Sequence, residues 1–392
     1  MSKLTYSPVE MIEALVAFDT TSRESNLELI RFVEEYLNNH GVASTLIFNE
    51  DKSKANLVAT IGPATSRGGV VLSGHSDVVP VDGQAWSSDP FRVVERDGRL
   101  YGRGTCDMKG FLAVALALVP EFQKCSLASP VHIVLTYDEE TDCSGAVRLM
   151  QALPETGLAP YAVIIGEPTQ MRIINAHKGQ TTIETDIVGC EAHSSAPHLG
   201  VNAIDIAVRL IAYLATLSED IASLPNLMKD TTPPFTTINV GTINGGRQVN
   251  IVPAECRFEW EIRAVPGHDA DDIIERFRAY ADRLITEMGN NFPAAAITTT
   301  ITSATAAFVP EDDSQAETLV KTLAGSNQAG SVAFGTEAPC YQQAGMSVVV
   351  FGPGSIEQAH KPDEYIALEQ VDACVEFMRR LMKRLESHSV SP

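Results

Sequence analysis

Two periodicities alternate along the chain up to Gly179. Near the N-terminus, Ser7-Pro8-Val9-Glu10 reads as a capping box with proline at the first helical position, and an amphipathic run follows it. A second helical stretch places Leu29, Phe32, Val33, Tyr36 and Leu37 on one face and stops at Gly41, the expected C-terminal cap. Short apolar runs at 42–48, 57–61, 70–73, 131–137 and 162–165 predict strands, with helices after Gly110 and Gly145. Apolar strands separated by helices predict an α/β fold whose sheet is largely parallel and covered on both faces.

The texture changes beyond Lys178-Gly179, which marks a hinge. Residues 181–188, 236–240 and 257–262 alternate polar with apolar, and helical stretches at 201–217 and Ala270–Met288 lie among them. Such strands predict a smaller sheet with one solvated face. The expectation is an inserted α/β domain at 180–300, interrupting a larger domain formed by 1–179 and 301–392. The tail returns to a buried strand at 347–351 and ends in a helix.

Composition narrows the function. A chain of 392 residues is too long for one core, which supports two domains. A formal charge of -21 excludes a phosphate-binding surface for nucleic acid, which needs clustered Lys and Arg. The opening MSKLTYSPVEMIEAL has no apolar core or small-residue cleavage site, and the longest apolar run, 111–119, is about half a membrane span. Seven scattered cysteines without a CxxC pair predict reduced thiols and a cytoplasmic setting.

Polar residues gather where the apolar runs end. Val70-Val71-Leu72-Ser73-Gly74 leads into His75-Ser76-Asp77, the run 131–137 into Asp138-Glu139-Glu140, and Ala162-Val163-Ile164-Ile165-Gly166 into Glu167-Pro168-Thr169. Asp107 sits in the glycine-flanked loop 102–110, and His360 closes Gly352-Pro353-Gly354-Ser355-Ile356-Glu357-Gln358-Ala359-His360. Ligands of open α/β sheets bind beyond the carboxyl ends of strands. One acid there is ordinarily a helix cap or a solvated loop residue. Several crowded carboxylates, however, repel one another unless a cation neutralises them. Mixed imidazole and carboxylate ligands suit zinc, with cobalt or manganese as alternatives. A carboxylate bridging two ions about 3.5–4 Å apart accounts for the number of acids. His132 and His177 fall outside this set and read as structural. No GxSxG occurs, which sets aside a serine hydrolase.

Taken in order, Gly74-His75-Ser76-Asp77, the 102–110 loop, Asp138-Glu139-Glu140, Gly166-Glu167-Pro168 and the late His360 resemble the M20 metallopeptidases, a group of peptidases, aminoacylases and deacylases. The resemblance covers nearly the whole chain. It implies a zinc-aminopeptidase-like catalytic domain with a mixed, mostly parallel sheet, and a ferredoxin-like inserted domain serving as lid and dimer contact. It also implies two divalent metal ions bridged by Asp107, with His75 and Glu167 on one and Glu140 and His360 on the other. Asp77 would orient the His75 ring, Glu139 would be the general base, and the Asp107–Met108 peptide would be cis. His193, in Gly189-Cys190-Glu191-Ala192-His193-Ser194-Ser195, would reach the partner subunit's site in a homodimer and donate to the oxyanion. Asn250, Arg263, Gly335 and Thr336 would hold a substrate carboxylate.

The loop Gly352–Glu364 and Gly335-Thr336-Glu337-Ala338 resemble the branch of the family that deacetylates N2-acetyl-L-ornithine, a step of arginine biosynthesis. Asn250-Ile251-Val252-Pro253 is also similar to text in succinyl-diaminopimelate desuccinylases, so that activity and a broad aminoacylase are the sister readings. A non-catalytic binding protein on the same fold is the reading from another class. The intact ligand set and base stand against it.

Overall fold

A computed structural model describes residues 5–63, 68–224, 228–288 and 292–387, and the chain divides into two compact units. The larger comprises Met1–Asn175, Pro310–Gly330 and Thr336–Pro392, and the smaller Ala176–Val309 and Ser331–Gly335.

An eight-stranded sheet runs in the order Ser44–Phe48, Ala55–Ile61, Val131–Thr136, Val70–His75, Ala162–Ile165, Val348–Val350, Ile173–His177 and Ala329–Val332, the first six strands lying wholly in the larger unit. The strands at 131–136, 70–75, 162–165 and 348–350 run parallel to one another and are buried at every position. Their continuous Val, Ile and Leu content is what a strand covered on both faces requires. The strands at 44–48 and 55–61 join antiparallel on one flank, and the strand at 173–177 does so on the other. The fold is therefore mixed α/β with a parallel centre.

The helices follow local chemistry. Pro8–Val16 begins with the capping box: Ser7 Oγ accepts the Glu10 N–H at 3.2 Å, and the Glu10 carboxylate accepts the Ser7 N–H at 2.8 Å. Leu27–Asn39 ends just before Gly41, whose φ of +70° suits a residue without a Cβ. Lys109–Ala117 is buried along its whole length, as a helix apolar on all sides must be. Among the described residues no helix is long and apolar enough to cross a membrane.

In the smaller unit four antiparallel strands lie in the order Thr237–Gly245, Glu255–Arg263, Gln180–Val188 and Ala296–Thr305. With helices Ala203–Ala222 and Ala270–Met288 this gives the β-α-β-β-α-β connectivity of a ferredoxin-like unit. The two inner strands alternate, burying Ile183, Ile187, Phe258, Trp260 and Ile262 with Leu210 and Phe277 of the helices. A boundary at residue 300 would cut the strand Ala296–Thr305, and the unit in fact runs on to Val309. That strand's threonine-rich sequence, half exposed, hides the alternation that marks its neighbours.

Candidate active site

The parallel centre of the large sheet determines where the polar residues go. Strands running the same way end at the same edge, and there His75 is the last residue of its strand. Asp138-Glu139-Glu140 follows Val131–Thr136, and Glu167 follows Ala162–Ile165. Asp107 stands just before the buried helix Lys109–Ala117, and the Asp107–Met108 peptide is cis.

Asp107 is central to the arrangement. Its Oδ1 lies 3.1 Å from His75 Nε2, and its Oδ2 lies 3.3 Å from His360 Nε2. Glu140 Oε2 is 3.0 Å from the His360 nitrogen, while Glu167 Oε1 and Glu139 Oε2 are 3.8 and 4.0 Å from that of His75. Ligand atoms of His75, Glu139 and Glu167 cluster closely enough to hold one ion, as do those of His75, Asp107 and Glu140.

Asp77 stands against the His75 ring. His75 Nδ1 meets its main-chain oxygen at 2.9 Å, while the carboxylate stands 3.6 Å away. That carboxylate accepts from Ser22 Oγ at 2.7 Å and from the N–H groups of Glu139 and Glu140 at 3.2 and 3.4 Å. Asp77 thus fixes the turn that carries both glutamates.

Burial opposes charge on all these groups. It pushes Glu139 and Glu167 well above the usual carboxylate range, with neighbouring carboxylates adding to the effect. Glu140 rises to about 7, through burial first and the Asp107 charge second. Hydrogen bonds to Asp107 and Glu140 raise His360 to about 10. Asp107 goes the other way: burial opposes its charge, but hydrogen bonds from His360 and His75 hold its carboxyl below the usual range. Glu140 Oε1 and Glu167 Oε1 are buried without a hydrogen-bond partner, and oxygen and imidazole donors suit zinc-like ions. The residues fit divalent metal.

Three further residues support the site and escaped the sequence reading. Glu364, fully buried, accepts the N–H groups of Cys106 and Asp107 at 2.9 and 3.1 Å and pairs with buried Arg103 at 2.7 Å. Glu337 accepts from Ser73 Oγ at 2.6 Å and Thr136 Oγ1 at 2.7 Å, tying together the strands that end at His75 and before Glu139. Lys54 donates to the Ser22 carbonyl and pairs with Asp138. A charged residue quoted inside a motif, such as Glu364, was the available signal; burial gives it meaning.

The remaining candidates divide between the units. His193 and Asn250 are neighbours in the smaller one, where Ala192–His193 pairs with Ile251–Val252 and the Ser194 N–H reaches the Asn250 oxygen at 3.1 Å. His193 is exposed, and its Nδ1 lies 2.8 Å from Ser195 Oγ and 3.2 Å from the Ser195 N–H. Arg263, half buried at the end of its strand, holds Glu261 at 3.1 Å. No atom crowds the Cβ position of Gly335. Thr336 departs from the expected substrate contact: it is fully buried, and its Oγ1 accepts the Ala338 N–H at 3.0 Å, serving the start of helix Ala338–Gln343.

Known proteins agree with this architecture. An acetylornithine deacetylase of Pasteurella multocida is 35% identical over 95% of this chain and 97% of its own length. One from Myxococcus xanthus is 37% identical over 93% and 94%. An M20 family metallo-carboxypeptidase from Sulfolobus solfataricus, 18% identical, shares the fold with a TM-score of 0.75 over 98% of this chain and 100% of that one. The profile of the peptidase family M20/M25/M40 matches residues 71–384. With four-fifths of its length matched and its acids and histidines gathered at one sheet edge, the chain belongs to the peptidase family M20/M25/M40, a family of metal-dependent hydrolases.

Proposed function

We propose that the chain is a two-ion amidohydrolase that removes the acetyl group of N2-acetyl-L-ornithine, releasing L-ornithine and acetate for arginine biosynthesis. The observation that carries the chemistry is Asp107, whose two oxygens face two different imidazoles at 3.1 and 3.3 Å. Relatives of that name at 35% and 37% identity support the substrate. His75 and Glu167 would hold one ion and Glu140 and His360 the other, with Asp107 between them. Zinc suits the donors, and cobalt or manganese are alternatives. Bound ions supply Lewis acidity, polarising the amide carbonyl and acidifying water.

The chain's own residues do the rest. Glu139, fixed by Asp77 through its backbone, takes a proton from the attacking water and returns it to the departing amine. Its adjacency to Glu140 lets one carboxylate hold metal while the other stays free. His193 Nε2 donates to the oxygen that becomes negative, and Arg263, Asn250 and the open backbone at Gly335 receive the substrate carboxylate. His193 acts across a homodimer formed through the smaller unit.

The test is a substrate panel. N2-acetyl-L-ornithine should be hydrolysed with a kcat/KM at least ~100-fold above that for succinyl-diaminopimelate, a ratio within what a polar pocket achieves. Chelation should abolish the activity, and zinc or cobalt should restore it. Preference for the succinyl compound would overturn the substrate assignment, and full activity after removal of metal would overturn the mechanism.

A further inference from the structure

His360 differs from the other proposed ligands in how it is held. The side chains of His75, Asp107, Glu140 and Glu167 are between 1% and 7% exposed and so closely enclosed, whereas that of His360 is 53% exposed. Its backbone is also left-handed, with φ of +62°, a conformation that disfavours a residue with a Cβ. Something other than its own burial must keep the ring against Asp107 and Glu140.

That support comes from Gln84. Its Nε2 donates to the His360 main-chain oxygen at 2.9 Å. Its Oε1 accepts from Arg103 Nη2 at 2.7 Å and from Trp86 Nε1 at 3.0 Å. Arginine and tryptophan side chains can only donate, so the amide cannot be turned round, and its N–H must face the carbonyl. Arg103 is itself fixed: it is 1% exposed, lies over the Trp86 ring at 5.1 Å and pairs with Glu364 at 2.7 Å. Glu364 in turn holds the N–H groups of Cys106 and Asp107. An unbroken path therefore runs behind the site, from the Asp107 backbone through Glu364, Arg103 and Gln84 to the His360 backbone. It joins, from outside, the two residues whose side chains face each other within.

We infer that Gln84 is a positioning residue that sets His360, and with it the affinity of the ion group formed by Asp107, Glu140 and His360. The inference rests on the proposed ligand set. Residues that orient ligands in this way typically change metal affinity by roughly 10–100-fold.

Gln84→Glu separates the two halves of the amide. It keeps the acceptor for Arg103 and Trp86 but sets a carboxylate oxygen against the His360 carbonyl. Its added negative charge would, by itself, favour a cation, so a loss of affinity cannot come from charge. The experiment is a titration of the metal-free protein with Co2+ alone, followed by calorimetry and by the visible absorption of the bound ion. The unaltered chain should take two ions per chain. Gln84→Glu should bind one as before and the other roughly 10–100-fold more weakly. Gln84→Met, which drops all three bonds, should repeat that split with a lower thermal midpoint. Two steps unchanged, or both weakened alike, would overturn the inference. His360→Ala is the control and should remove the same step. Should it leave both steps intact, the ligand assignment fails and takes the inference with it; should it remove one step while Gln84→Glu removes none, only the role of Gln84 fails.

Discussion

Glu139 and Glu140 are adjacent in sequence and share one turn, yet only the second reaches a histidine at hydrogen-bond distance, 3.0 Å from His360 Nε2. Glu139→Gln keeps size and hydrogen bonding but cannot carry the proton, so it should retain both ions while turnover falls roughly 10²–10⁴-fold. Metal content measured beside kcat checks this, and near-normal turnover would remove Glu139 from the chemistry. A second residue gives a pH effect. Burial lowers His177 from 6.5 to about 4, so between those values the unfolded chain binds a proton that the folded chain does not. Stability must therefore fall as pH drops through that window, by about 2 kcal/mol between pH 7.5 and pH 5 from this residue. Denaturant melts at both pH values should show the difference, and His177→Gln should lose that part of the slope. The acids and histidines at strand ends were legible because apolar runs stop abruptly at them. Glu337 and Glu364 were not, since only burial distinguishes them from surface glutamates, and the full burial of Thr336 has no local signature either.

At the scale of elements, the turn after Val131–Thr136 is held by side chains from several parts of the chain. Asp138 is left-handed, with φ of +56°, and its carboxylate is held by Lys54, both side chains being less than one-fifth exposed. Lys54 also reaches the Ser22 carbonyl, and Ser22 Oγ reaches Asp77, which grips Glu139 and Glu140 from behind. Lys54→Met should let that turn shift and reduce kcat by roughly 10–100-fold with little change in KM, because misplacement harms the reacting geometry more than binding. Equal losses in both constants would argue for a binding role instead. The hydrophobic pattern made the central strands and long helices readable, since full burial and helical spacing leave strong signals. The strand Ala329–Val332 went unread because it is four residues long and only partly buried, whereas the helix Gln315–Ala324, with Ala316, Leu319, Val320 and Leu323 on one face, carries a spacing that could have been read. Strand order, including the antiparallel flanks, has no local signature.

At the scale of the whole molecule, the proposed reaction distributes its residues between two chains. His193 sits on the smaller unit, whereas Glu139 belongs to the larger. His193→Ala should therefore impair turnover while leaving metal content unchanged, and Glu139→Gln should do the same for a different reason. Mixing the two variants after subunit exchange distinguishes action across the dimer from action within a chain. In a mixed dimer, the chain carrying His193→Ala keeps its own Glu139 and receives an intact histidine from its partner, so one site is whole. The other site lacks its base and stays silent. Random exchange of equal amounts makes half the dimers mixed, so recovery should approach about a quarter of the unaltered activity in a symmetric assembly. If His193 served its own chain, every site in the mixture would still lack one of the two groups, and no activity would return. Recovery that disappears on dilution below the dimer's dissociation constant would then tie the shared histidine to assembly itself.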